Sequence, residues 1–271
     1  MDGITDYAAW IPWAGYIATG ALAGVLAGLL GVGGGIVIVP ALIWVFTLEG
    51  MNPDWIPQLA VGSSLATIVG TSIASVRAHH RRGAVRWDLV RQLTPGILIG
   101  AGSGALVAGF IPGLWLKRIF TVFLLVVAWR MLTSPDSTTR YALPGRAGMS
   151  AAGSGIGMLS ALVGIGGGTL TVPFLVGGGT EPRKAVATSS ACGLPIALAG
   201  AAGFAAVGWS VPDLPAAATG YLFWPAIGAI LLTSIPTAPL GARLAHAVPA
   251  GTLKRVFAIL LFAAGIKLWL F

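Results

Sequence analysis

Leu29-Leu30-Gly31-Val32-Gly33-Gly34-Gly35-Ile36-Val37-Ile38-Val39-Pro40 is written again, with seven of twelve positions identical, as Leu162-Val163-Gly164-Ile165-Gly166-Gly167-Gly168-Thr169-Leu170-Thr171-Val172-Pro173. The copies lie 133 residues apart in a chain of 271, so the chain reads as two versions of one unit. Each version interrupts an apolar segment with a run of glycine. Apolar helices broken by glycine at matching places in two halves are the sequence pointer to a membrane transporter's substrate site.

Composition agrees. Hydrophobic residues make up 56% and charged residues 9%, far below the roughly 25% charged of a soluble domain. The formal charge of +8 does not call for nucleic acid, because a membrane protein concentrates Lys and Arg in its cytoplasmic loops. The single cysteine, Cys192, excludes an internal disulfide framework and is expected to be a small packing residue. Asp2 and Asp6 take the place of a basic n-region, so a cleaved signal peptide is not expected.

Apolar segments are read at 13–48, 58–76, 92–111, 118–133, 148–178, 185–207, 219–242 and 255–271. Two further matches extend the repeat: Ala60-Val61-Gly62-Ser63-Ser64-Leu65-Ala66 with Ala185-Val186-Ala187-Thr188-Ser189-Ser190-Ala191, and Leu116-Lys117-Arg118-Ile119-Phe120 with Leu253-Lys254-Arg255-Val256-Phe257. The expected division is repeat one at 1–133, a polar linker at 134–147, and repeat two at 148–271.

Charge decides the expected topology. If every segment crosses once, nine of the sixteen Lys and Arg fall inside, which is hardly a bias. If each glycine-broken segment returns to its own side as a hairpin, each half crosses three times and the second half is inverted. With the N-terminus outside, the cytoplasmic side then receives Arg77, Arg81, Arg82, Arg86, Arg91, Arg130, Arg140, Arg146, Arg183, Lys184, Arg243, Lys254 and Arg255. Only Lys117, Arg118 and Lys267 lie outside, a division of thirteen to three. The positive-inside rule favours this arrangement. The expected fold is an all-α polytopic membrane protein of two inverted-topology repeats, each a glycine-broken helical hairpin plus three transmembrane helices. The depth of the hairpin turns stays open.

The glycine blocks are the candidate substrate site. Gly33, Gly34 and Gly35, with Gly166, Gly167 and Gly168, carry no Cβ, so the chain can turn sharply there and expose its amides. Successive amides in such a turn form an anion-binding concavity. A helix starting near Ile36 or Thr169 would aim its positive dipole end at the same point. Pro40 and Pro173 either begin that helix after a short extended stretch or lie within its first turns. By contrast, Gly20, Gly24 and Gly28, and Gly96, Gly100 and Gly104, have the four-residue spacing of a packing face. Pro195, Pro225, Pro236 and Pro239 are expected to kink spans six and seven.

Hydroxyls complete the candidate site: Ser63, Ser64, Thr169, Thr188, Ser189 and Ser190, with Thr171 nearby. They could donate to oxyanions or bond carbonyls of their own helices. All eight acidic residues fall in loops, tails or segment ends. Intramembrane carboxylates mark proton relays and cation paths, so a cation pump is disfavoured. No nucleophile–base pair or metal-ligand cluster points to an enzyme, and no cofactor or metal is expected.

The doubled G-x-G-G-G-x4-P block, each copy followed by the Ala60–Ser64 or Ala185–Ser189 block, resembles the sulfite exporter TauE/SafE family over nearly the whole chain. The resemblance implies a multi-pass transporter of the bacterial inner membrane that moves sulfite, an organosulfonate or a related sulfur oxyanion. The alternatives are an anion channel and a carrier of a different small organic anion. Partners are then a small sulfur-containing anion and the lipid bilayer.

Overall fold

The computed structural model describes the backbone of residues 3–30, 34–133, 141–247 and 250–270 and, within these, the side chains of all but 3–9, 28–30 and 241–254. The described residues form ten helices: α1 Gly3–Leu30, α2 Gly35–Leu48, α3 Ile56–Arg81, α4 Trp87–Phe110, α5 Gly113–Thr133, α6 Arg146–Val163, α7 Gly168–Gly177, α8 Pro182–Gly208, α9 Trp224–Ala247 and α10 Ala250–Leu270. Four are long and apolar enough to cross a bilayer: α3, α4, α8, and α1 through its stretch Trp10–Ala27.

Polarity is distributed for lipid rather than water. Ile99 is 70% exposed, Phe110 83% and Leu232 78%, while Ser63, Ser64, Thr67, Thr171 and Thr188 are fully buried. In a bilayer, outward apolar side chains cost nothing and inward hydroxyls have partners to find. The chain is an all-α, multi-pass membrane protein.

Each of the segments read as 13–48 and 148–178 is two helices, α1 with α2 and α6 with α7, parted at a glycine block. The segment read as 219–242 differs from expectation at its start. Ala218–Thr219 pairs antiparallel with Leu222–Phe223, Ala218 opposite Phe223, around Gly220 at φ 55°. Only then does α9 begin. Pro225 is its second residue, where a missing N–H costs no helical bond, rather than an interior kink. Pro195, Pro236 and Pro239 do lie inside α8 and α9.

Packing joins the two halves. Helix α1 lies on α9, α6 on α4, α3 on α8, and α5 on α10. Glycine stripes make the first two contacts close. A Cβ on Gly20 would sit 2.7 Å from the Ile230 carbonyl oxygen, and one on Gly24 would strike the carbonyl of Ser234. On the other pair, a Cβ on Gly153 would strike the Leu93 carbonyl, and one on Gly157 would lie 2.6 Å from that of Ile97. The positions are equivalent, displaced by 133 residues from α1 to α6 and by 137 from α4 to α9. Each half offers its first helix to the fourth helix of the other, in the same register. Gly96, Gly100 and Gly104 face the backbone of Ser150, Ser154 and Met158 in the same way. Helices without Cβ at the crossing approach closely enough for backbone van der Waals contact.

Candidate functional site

The third glycine of each block is already helical, because α2 starts at Gly35 and α7 at Gly168. The glycine before it caps the helix in the left-handed region, Gly34 at φ 69° and Gly167 at φ 77°, which a side chain would strain. The Gly34 carbonyl accepts from Val37 and Ile38 at 3.0 and 3.1 Å, and the Gly167 carbonyl from Leu170 and Thr171 at 3.0 and 2.7 Å. Pro40 and Pro173 are each the sixth residue of these helices, so no extended stretch intervenes. They withdraw the N–H groups that would reach the carbonyls of Ile36 and Thr169. The leading amides of any helix lack an internal acceptor too. Each turn therefore gathers backbone polarity among apolar side chains.

The two turns touch. A Cβ on Gly35 would lie 2.5 Å from the Gly164 carbonyl oxygen and 3.2 Å from the Ile165 Cα. The same carbonyl accepts the Ser64 hydroxyl at 2.8 Å. Gly164, at φ 73°, ends α6. Gly166 lies against Ile68, and its carbonyl lies 2.9 Å from where a Cβ on Gly193 would be. Gly167 faces Ile196, Thr171 and Ser160: a Cβ there would lie 3.3 Å from Thr171 Oγ1 and 3.5 Å from Ser160 Oγ. Gly34 packs on the Ala23 carbonyl. Gly33 lies outside the described residues.

Three hydroxyl oxygens at the second turn are buried without a hydrogen-bond partner among the described residues, those of Ser160, Thr169 and Thr171, as is that of Ser189 on α8. An unpaired buried hydroxyl costs about 1–3 kcal/mol, so three at one turn call for an explanation. Ser160 is a residue that sequence reasoning passed over. Its counterpart one repeat earlier is Ala27, and Ser160 itself lies just ahead of the doubled block that begins at Leu162.

The remaining sequence candidates have partners. Ser190 donates to the Val186 carbonyl of its own helix at 3.1 Å. Ser63 accepts the Phe223 amide at 3.0 Å, just ahead of α9, and Thr188 accepts the Arg86 amide at 3.0 Å, just ahead of α4. These bonds are counterparts, each running from the third helix of one half to the entrance of the fourth helix of the other. Thr188 also donates to Lys184 in its own helix at 2.6 Å. Sequence reasoning offered these hydroxyls an anion or their own helix; Ser63 and Ser64 instead reach the other half of the chain, and Thr188 does so while also bonding its own helix as expected.

Among the described residues this core holds no charged side chain. The buried polar side chains among the described residues are Ser, Thr and Gln, and no three His, Cys, Asp or Glu side chains there converge as a metal site would need. Cys192 is fully buried in the apolar core. The described residues of this centre offer backbone dipoles and hydroxyl protons.

Comparison with known proteins agrees with this architecture. The sulfite exporter TauE/SafE family matches residues 16–268. A protein of Haemophilus influenzae named "Probable membrane transporter protein" is 36% identical over 256 residues, covering 94% of this chain and 97% of its own length. One of Methanocaldococcus jannaschii with a similar name is 30% identical over 235 residues, covering 81% and 80%. The Bacillus subtilis relative YunE, also named a probable membrane transporter, is 29% identical over 203 residues. No solved structure matches the chain. With a match from its first long helix to its last, the chain belongs to the sulfite exporter TauE/SafE family of membrane transporters.

Proposed function

We propose that this transporter is a secondary carrier that exports sulfite, an organosulfonate or a related sulfur oxyanion across the bacterial inner membrane, binding it between the two glycine turns. The observation that carries this reading is the meeting of Gly35 with Gly164 at turns where the buried hydroxyls of Ser160, Thr169 and Thr171 have no partner among the described residues. An oxyanion accepts hydrogen bonds and donates none once deprotonated, so hydroxyls and helix-start amides suit it. With no charged side chain among the described core residues, backbone and hydroxyl dipoles would hold it, which favours release as well as binding.

The reciprocal packing of α1 on α9 and α6 on α4, and the paired bonds of Ser63 and Thr188, support a reading of the halves as inverted repeats that exchange roles. Alternating access then follows from rocking one half against the other around a shared site. The interior-negative potential drives export: about 2.3 kcal/mol per charge at 100 mV, and roughly twice that for a dianion. No proton-carrying side chain is needed.

Proteoliposomes loaded with isotopically labelled sulfite, sulfonates, thiosulfate and carboxylates test the reading. Saturable efflux of a sulfur oxyanion that rises with membrane potential is expected. Selective flux of carboxylates would overturn the substrate class, and unitary currents in planar bilayers would make the protein a channel.

A further inference from the structure

Away from the glycine turns, the starts of α4 and α6 frame a cleft of about 460 Å³ lined by Asp88, Arg91, Gln92 and Pro95 from α4 and by Arg146 and Ser150 from α6. The spacing places each set on one helical face. Below the cleft the helices close, because Gly96 lies against the Ser150 carbonyl and Gly153 against that of Leu93. The cleft therefore ends on packed backbone and does not open between these helices toward the core.

Its electrostatics are one-sided. Asp88 is already taken by Arg86, through bonds of 2.9 and 2.6 Å. Arg91 and Arg146 have no ion-pair partner among the described residues. Two guanidiniums thus face a space whose carboxylate is compensated, with Gln92 and Ser150 beside them as neutral donors. Guanidinium forks suit phosphate oxygens.

The surface around the cleft states the depth. Trp87, 40% exposed, lies one turn before Arg91 on the same face, and Pro95 and Ile99 (70% exposed) follow one and two turns after it. A half-exposed tryptophan, then arginine, then bare aliphatic surface is the order of a membrane interface passing into hydrocarbon. Leu98 on α4 and Leu159 on α6 are also outward-facing.

We propose that this cleft binds the phosphodiester headgroup of an anionic phospholipid, with Arg91 and Arg146 on the phosphate and the acyl chains along Leu98 and Ile99. Basic pockets between transmembrane helices bind anionic headgroups by this chemistry. The assignment needs only the membrane-embedded fold and is independent of the transported anion.

Native mass spectrometry of the purified full chain with phosphatidylglycerol, cardiolipin or phosphatidylethanolamine tests it. The anionic lipids should be retained by the wild type and by Arg130→Gln, whose charge lies elsewhere. Retention should fall about tenfold in Arg91→Gln/Arg146→Gln and less in Arg91→Lys/Arg146→Lys, which keeps charge without the fork. Equal retention of phosphatidylethanolamine would overturn the proposal, as would indifference to the double Gln variant. Displacement by millimolar inorganic phosphate would make the ligand a free oxyanion, and a raised KM for transport with unchanged lipid retention would make the cleft a substrate vestibule; either refutes it. Both arginines are exposed, and unchanged gel-filtration elution of each variant checks that the fold persists.

Discussion

The Ser64 hydroxyl donates to the Gly164 carbonyl at 2.8 Å across a hundred residues of chain. It pins the first half's third helix to the second half's glycine turn. Ser64→Ala leaves that carbonyl buried without its donor, a loss of about 1–3 kcal/mol. Ser190→Ala removes only a bond back to its own helix and should cost less. Thermal melting of both variants in one detergent checks the order; equal melting points would deny Ser64 its bridging role.

Gly35 meets rigid backbone, so even a methyl group must push the two turns apart. If the turns form the proposed binding centre, Gly35→Ala is expected to reduce flux by at least about tenfold, as displacement at such a centre does. Gly228→Ala, with nothing within 4 Å of the new Cβ, should transport normally. Parallel flux assays at matched expression decide; a Gly35→Ala variant with full activity would remove the turns from the site.

Thr171 separates binding from architecture through opposite signs. Its hydroxyl is buried and unpartnered among the described residues, so Thr171→Val should hold or raise stability. If the hydroxyl donates to substrate, KM should rise by roughly two- to twelvefold, the worth of one neutral hydrogen bond. A variant that melts earlier and transports unchanged would mark the hydroxyl as structural.

The Tyr16 hydroxyl lies 2.6 Å from Glu49 Oε2 at the end of α2. Burial holds the Glu49 carboxyl above its ordinary range, and the Tyr16 bond works against that rise. Tyr16→Phe should therefore push the carboxyl further up. A carboxyl raised on folding loses stability as pH climbs from its unfolded pKa through its folded one, and the variant extends that window upward. The protonated-carboxyl infrared band followed against pH, with Glu49→Gln as blank, reads the shift; an unmoved titration refutes it.

The proposed inversion of the halves makes a prediction about sidedness. Reporters inserted at Asp213 or fused after Phe271 should both report periplasm. Cytoplasmic signals from both would return the topology to parallel repeats.

Much of this was legible because glycine and charge are local signals. The doubled blocks at Gly31–Pro40 and Gly164–Pro173 located both helix breaks, and the stripe at Gly20 and Gly24 marked a real crossing. What the sequence hid was partnership. Nothing in Ser63, Ser64 or Thr188 says that a hydroxyl will cross to the other half, since that depends on which helices become neighbours. The hairpin of Ala218–Phe223 was hidden for a related reason: its residues are as apolar as the helix that follows. Ser160 escaped because it lies just ahead of the doubled block that begins at Leu162, outside the stretches where repetition drew the eye.

The bonds from Ser63 to the Phe223 amide and from Thr188 to the Arg86 amide have a consequence for ancestry and assembly. A polypeptide holding one repeat would lack the hydroxyl for its own fourth helix and the backbone that its glycine stripe needs. It could complete itself only with a second copy, and under the inverted arrangement that copy must insert the opposite way up. Fusion removes both requirements at once. A concentration-dependent pair of dual-inserting subunits becomes a single polypeptide, free to let its halves diverge, as Ser160 and Ala27 have.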